Sequence, residues 1–399
     1  MRSKVFFTEE MDDVEAAAED IFDQAKDFVF AKNTMALLFI RDEMDYDMLL
    51  DLLRSKWSFP VIGTTTLGLF AGSYGYKKEG MSIMLMTADD VSFAVGMTGD
   101  LDGDNYMSEI KGLHDRLVAK LPCDEEEKLI LCYSGQNRNV NGDNIIAALD
   151  AAAPKVPVYG GLASDTFSFI HSRIHSRVFC NDRMGTSVQA MAVISGNIHP
   201  LYTSITSVSG KTKFSYEVTK SEGNIVFELE GIPFRNALKK AGLEADKTEV
   251  IADYILSPFV SVLNKDGTTI EVLRDLSFLD HDKNFGVFLG GIEEGSSLEI
   301  GLLNRKDVHD TVRVSFKRFL DRCSTDGIER NTIFCTSCAA RYLAIGGAVD
   351  SQNINFWDEL PDDKELIGMY SYGEYCPVDT KDKTGINIFH NSTFTMMMI

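Results

Sequence analysis

Two cysteines stand three apart in Cys335-Thr-Ser-Cys338. Beside a second such pair this spacing would hold zinc, and at a helix start it would lower a thiol pKa. The other cysteines, at 123, 132, 180, 323 and 376, supply no second pair, so neither a metal nor any other cofactor is expected. Cys335 reads as a buried strand residue, and Cys338 as part of the turn that follows, where a side chain can face a pocket. With His390 as base, Cys338 could also act as a nucleophile, provided the two come within hydrogen-bond reach. A second constellation is His171, Arg173, His175 and Arg177, which alternate with Ile170, Ser172, Ile174, Ser176 and Val178. Period two predicts a strand with both arginines and both histidines on one face. That stripe is either a solvated or acid-contacting face or an anion-binding site. Asp100-Leu-Asp-Gly-Asp-Asn105 has its glycine at the fourth position, and Lys111 stands where a calcium loop needs its closing glutamate. A polar turn before a helix is expected there. No G-x-S-x-G, phosphate-binding Walker loop or H-E-x-x-H is present.

Three glycine loops each follow an apolar run: Gly63-Thr-Thr-Thr-Leu-Gly68, Gly160-Gly-Leu-Ala-Ser-Asp165 and Gly368-Met-Tyr-Ser-Tyr-Gly-Glu374. Glycine lets the backbone turn sharply or approach another group closely. The surrounding pattern predicts strands at Met35–Ile40, Phe59–Gly63, 80–86 and 91–97, with a helix over Tyr46–Lys56. The same order returns as a strand at Lys128–Tyr133, a helix at Gly142–Ala152, a strand at Val156–Gly160 and strands at 185–194 and 201–207. A fainter third copy runs from Asn331–Cys335 through a helix at Ala339–Ile345 to Ile386–Phe389 and Thr393–Ile399. The expectation is a mixed α/β fold. Its antiparallel or mixed sheets would be covered by helices and built from duplicated strand–helix–strand–hairpin units. The polar, turn-rich stretch around Ser207-Val-Ser-Gly-Lys-Thr-Lys213 suggests a boundary, giving domains 1–207 and 208–399.

The chain has 399 residues, 60 acidic against 39 basic, for a net charge of −21. Such a field repels phosphate backbones and anionic lipid surfaces, so a nucleic-acid role is not expected. No run of eighteen apolar residues occurs and the first ten residues reach acids early, so neither membrane insertion nor a secretory leader is expected. Scattered, odd-numbered cysteines fit reduced thiols and a cytoplasmic location.

At the glycine loops the sequence resembles the FIST family, a paired N- and C-terminal sensory domain. The resemblance rests on Pro60-Val-Ile-Gly-Thr-Thr-Thr-Leu-Gly68, Val158-Tyr-Gly-Gly-Leu-Ala-Ser-Asp165 and Glu228-Leu-Glu-Gly-Ile-Pro233. It rests also on Cys338-Ala-Ala-Arg341, Tyr372-Gly-Glu374 and His390-Asn391 with Thr393. Thr64 replaces the cysteine common in the first loop, Leu69 a polar residue, and Ser164 a glycine. The resemblance implies sensing of a small ligand inside the cell, an amino acid or a related metabolite. No kinase, chemotaxis or cyclase module is recognisable, so the output is expected to pass to a separate signalling protein.

For such a ligand the terminal cluster supplies complementary groups. Arg341 could hold a carboxylate through its fork and Glu374 an ammonium. His390 and Asn391 could orient either group, and Cys338 or Ser337 could line the wall. The same residues could instead pair with one another as a buried network that fixes the domain. The competing classes are an enzyme using Cys338 and a pure interaction module.

Overall fold

The apolar runs become the walls of three six-stranded sheets. The computed structural model describes residues 1–399 except 42–43, 138, 167–174, 245–247, 249, 251–252, 266, 348–355 and 380–384. The first sheet runs in the order β1 (Arg2–Thr8), β6 (Met81–Ala88), β2 (Asn33–Arg41), β3 (Val61–Thr66), β10 (Val178–Cys180), β11 (Arg183–Gly185). The second runs β7 (Val91–Met97), β12 (Gln189–Gly196), β8 (Glu127–Ser134), β9 (Val158–Leu162), β24 (Glu374–Asp379), β25 (Gly385–His390). The third runs β13 (Leu201–Thr206), β26 (Thr393–Met398), β22 (Thr332–Cys338), β23 (Glu365–Ser371), β4 (Leu69–Ala71), β5 (Tyr76–Lys77). In each, the two middle strands are parallel and all other neighbours antiparallel. A crossover helix joins each parallel pair: α2 (Tyr46–Lys56), α4 (Gly142–Ala152) and α7 (Ala339–Ala344). The chain reaches the first strand of each pair through α1 (Val14–Ala25), α3 (Tyr106–Val118) or α6 (Arg305–Thr325).

Strand alternation sorts the side chains into an inside and an outside. Met35, Leu37 and Phe39 of β2, Leu129, Leu131 and Tyr133 of β8, and Phe334 of β22 share one central cluster with residues from all three sheets. Ala36, Leu38 and Ile40 face α1 and α2, Ile130 and Cys132 face α3 and α4, and Ile333 and Cys335 face α6. The sheets therefore enclose one core and are roofed outside by helices. With both faces buried, the strands read as continuous apolar runs rather than alternating ones.

The expected hairpins are not formed. Strand β6 belongs to the first sheet and β7 to the second; β12 belongs to the second and β13 to the third; β25 lies in the second sheet and β26 in the third. At each point the chain turns from one wall to the next, so that both strands present an inner face to the shared core. The units that recur in strand order are therefore 1–88, 91–196 and 201–206 with 304–399. Strand order shows corresponding wiring; superposition of the three units is the measure of duplication.

Residues 208–303 leave the third unit between β13 and α6. They form an eight-stranded sheet: β18 (Thr268–Arg274), β17 (Phe259–Lys265), β21 (Ser297–Leu303), β14 (Val208–Glu222), β15 (Ile225–Leu229), β20 (Gly286–Phe288) and β19 (Leu276–Leu279), with β16 (Ile232–Pro233) beside β15. Helix α5 (Phe234–Lys240) packs into its own core. Strands from both sides of residue 207 share the second and third sheets.

The glycines that open the three loops lie within strands. Gly63, Gly160 and Gly368 pair in register with Leu38, Cys132 and Cys335. A Cβ on Gly63 or Gly160 would lie 1.9 Å from the Leu38 or Cys132 carbonyl oxygen, and one on Gly368 would meet Cys335 Sγ at 2.2 Å. The close approach these glycines permit is thus to the neighbouring parallel strand.

Candidate functional site

The ends of the parallel pairs converge. Thr66 Oγ1 donates to the Gly68 and Tyr370 carbonyls at 2.9 and 2.8 Å, and Ser164 Oγ donates to the Tyr370 carbonyl at 2.6 Å. The Tyr372 hydroxyl donates to Asp165 Oδ1 at 2.8 Å. All three glycine-loop segments therefore meet at one buried junction.

Beside it, in the third unit, lies a second buried polar group. Cys338 ends β22 and stands at the N-terminus of α7. Glu374 begins β24 and pairs across the ladder with His390 of β25. Its carboxylate is fully buried and accepts from Ser371 Oγ and Thr393 Oγ1, each at 2.7 Å. Burial pushes the Glu374 carboxyl up to about 8, and the nearby Asp275 adds to this. Asp275 itself comes from the insertion, between β18 and β19. Both its oxygens accept from Ser392 Oγ, at 2.8 and 2.9 Å. Burial raises it to about 6, against the pull of Ser392 and Arg274. Neither carboxylate has an ion-pair partner among the described residues. Burial, with the charges of Glu374 and Asp275, holds the Cys338 thiol well above its ordinary range.

The other expected residues are close by but occupied differently. Arg341 is buried on α7; its Nη1 donates to Ser207 Oγ at 2.8 Å and its Nη2 to the Val308 carbonyl at 3.4 Å. Burial lowers its pKa to about 10. His390 Nε2 bonds the Cys376 carbonyl at 2.9 Å, and burial holds its pKa down at about 4. Asn391 Nδ2 donates to the His390 carbonyl at 3.1 Å, while its buried Oδ1 has no partner. Ser337 is buried on β22, and Cys335 is a fully buried strand residue. Among the described residues Arg341 and Glu374 form no ion pair with each other, and each is engaged with other buried groups.

Asp275, Ser371 and Ser392 were not singled out from the sequence. A signal existed for the first: Ile270-Glu-Val-Leu-Arg-Asp-Leu276 puts an adjacent charged pair inside an apolar run. Arg274 is fully buried and ties the insertion to the body, donating to Asp143 Oδ1 and to the Phe389 carbonyl, each at 3.0 Å.

Of the basic stripe, His171 and Arg173 lie outside the described residues. His175 is exposed, Arg177 is half-buried, and neither belongs to a strand; β10 starts at Val178. The expected strand is displaced because Asp165 Oδ2 takes the backbone N–H groups of His175 and Ser176, at 3.1 and 2.9 Å. At the calcium-like loop, Asp102 Oδ1 accepts from the backbone of Asp104 and Asn105 just before α3. No group of metal-ligating side chains is assembled among the described residues. No helix among them is long and apolar enough to cross a membrane.

Residues 34–232 match the model of the FIST N domain and residues 236–377 that of the FIST C domain, together nearly the whole chain. FIST domains are sensory, ligand-binding domains of signal transduction. That is the class of protein the two matches define. The chain belongs to the FIST family. No curated protein matches it.

Proposed function

We propose that the protein is a cytoplasmic sensor of a small amine-bearing metabolite, an amino acid or a close relative, whose signal passes to a separate protein. The observation that carries this reading is the pair Glu374 and Asp275: two buried carboxyls that form no ion pair among the described residues, although the charge of Arg274 reaches Asp275. An unpaired buried carboxylate is costly, so it takes up a proton or a cation. A ligand ammonium would supply the charge that Glu374 lacks, and the free Asn391 Oδ1 would accept from it. Arg341 uses two of its five N–H groups, leaving donors for a ligand carboxylate. The enzyme reading is disfavoured by the same burial. It keeps Cys338 a thiol and His390 a neutral ring turned to the Cys376 carbonyl, the reverse of an activated pair.

The test is a thermal-shift screen of amino acids and related amines on the wild type, Glu374→Gln and Arg341→Lys. A ligand at a hundredfold its Kd adds about 2.7 kcal/mol of stability. The wild type should respond. Glu374→Gln should be folded, at least as stable when empty, and unresponsive; Arg341→Lys should lose the response to amino acids but keep some to simple amines. Binding of an ammonium expels the proton from Glu374, so affinity should rise with pH up to about 8. A full response in Glu374→Gln, or none in the wild type, would sink the proposal.

A further inference from the structure

A cleft of about 390 Å³ opens between the edge strand β13 and helix α6. The helix side is one stripe: Thr311, Ser315, Arg318 and Arg322 recur at spacings of four, three and four, so they lie on one face. It runs beside the apolar stripe of Val308, Val312, Phe316 and Phe319, which faces the core. The strand side presents Thr203, Ser204 and Thr206. None of these five side-chain hydroxyls makes a hydrogen bond among the described residues, although a helical serine or threonine commonly bonds the preceding turn. Among the described residues Arg318 has no carboxylate partner, and Arg322 shares its charge with Asp379 at 3.0 Å. No acidic side chain among the described residues lines the cleft, in a chain of net charge −21. Two exposed guanidinium groups lie toward one end of the cleft and half-exposed or exposed hydroxyls toward the other.

We propose that this cleft binds a small phosphomonoester with a hydroxylated body. Arg318, helped by Arg322, takes the phosphoryl group through the fork geometry that suits such oxygens. Thr311, Ser315 and the hydroxyls of β13 exchange hydrogen bonds with the body. From Thr311 to Arg322 the helix rises roughly 16 Å, long enough to separate the two functions, and the volume lies in the range of small-ligand sites. The net charge of the chain argues against a nucleic acid as the source of the phosphate.

The measurement is isothermal titration calorimetry of the full chain with glycerol 3-phosphate, inorganic phosphate and glycerol. Glycerol 3-phosphate should bind, phosphate more weakly and glycerol not at all. Arg318 is exposed, so Arg318→Gln should fold as the wild type does and weaken glycerol 3-phosphate by roughly tenfold or more, about 1.4 kcal/mol. Arg318→Lys should recover part of that loss. Thr311→Val with Ser315→Ala should weaken glycerol 3-phosphate and leave inorganic phosphate unchanged. Unchanged affinity in Arg318→Gln, or no heat from either phosphate at millimolar concentration, overturns the site. Phosphate binding as tightly as its glycerol ester overturns the ligand class. Glu374→Gln should leave this binding intact, so its outcome is separate from that of the amine site.

Discussion

Two buried polar centres lie side by side where the parallel strands end, and they are built on opposite principles. At the threonine and serine junction, Thr64, Thr65, Thr66 and Ser164 are all buried, and each hydroxyl is spent on backbone: Thr66 and Ser164 on Tyr370, Thr64 on the Arg177 carbonyl at 2.9 Å. The acid buried there, Asp165, is likewise matched, by the Tyr372 hydroxyl and the backbone N–H groups of His175 and Ser176, and polar groups with matched partners can be buried at little net cost. At the neighbouring centre, Glu374 and Asp275 are buried as titratable acids, Cys338 lies against both, and Asn391 keeps a free acceptor. The first centre holds three sheets together. The second keeps two titratable acids in a fixed place, which is what the proposed amine site would require.

Substitutions can pull this contrast apart. The largest effect is expected at the glycines that let the parallel strands touch. Gly63→Ala or Gly160→Ala forces a methyl to within 1.9 Å of a carbonyl oxygen. Backbone must move, and a loss above about 4 kcal/mol in urea denaturation is expected. Next, Thr66→Val strips the Tyr370 and Gly68 carbonyls of a donor. It should cost about 1–3 kcal/mol without altering the response to amines; a lost response would merge the two centres into one.

The pH dependence of stability separates them more finely. Glu374 and Asp275 have folded pKa values raised from 4.5 to about 8 and from 3.8 to about 6. The folded state therefore binds protons more tightly than the unfolded one, and their contribution, full below pH 4, is lost as pH rises toward 8. His390 has the opposite sign. Its pKa falls from 6.5 to about 4, so stability present above 6.5 is lost as pH drops through 4. Between pH 4 and 6.5 the His390 slope offsets only one of the two carboxyls, so the contribution of the three groups to the denaturation midpoint is greatest near pH 4 and declines in steps as pH rises toward 8. Glu374→Gln should flatten most of the alkaline slope, whereas Thr66→Val should leave the whole curve's shape unchanged. The smallest effect belongs to Asn391→Asp, which adds an acid where an acceptor already stands free; it should tighten amine binding modestly if the ammonium reaches that oxygen.

Much of this was legible in the sequence. Helices α2 and α4 fall on the expected bounds, because a 3.6-residue apolar period and a cap at Asp45 or Asn141 leave little choice. Runs such as Met35–Ile40 are strands for the same local reason. Which sheet a strand joins is another matter. Val91 follows Ala88 across a two-residue turn that suits a hairpin, yet the chain changes walls there, since both strands gain more by facing the shared core. The grouping of Cys338, Glu374 and Asn391 was visible as types of residue near strand ends. Asp275 was not, because it arrives from a segment that no local pattern connects to them.

The short strand pair after β3 crosses to the third sheet, where Phe70 pairs with Gly368, about 300 residues later in the chain. At 5–20 residues per second that partner leaves the ribosome roughly 15–60 s after its mate. Throughout that interval Leu69, Phe70 and Ala71 have β5 on one side and no ladder to join on the other. The nascent protein must carry an apolar strand edge that chaperones can shield and that, left alone, invites misassembly.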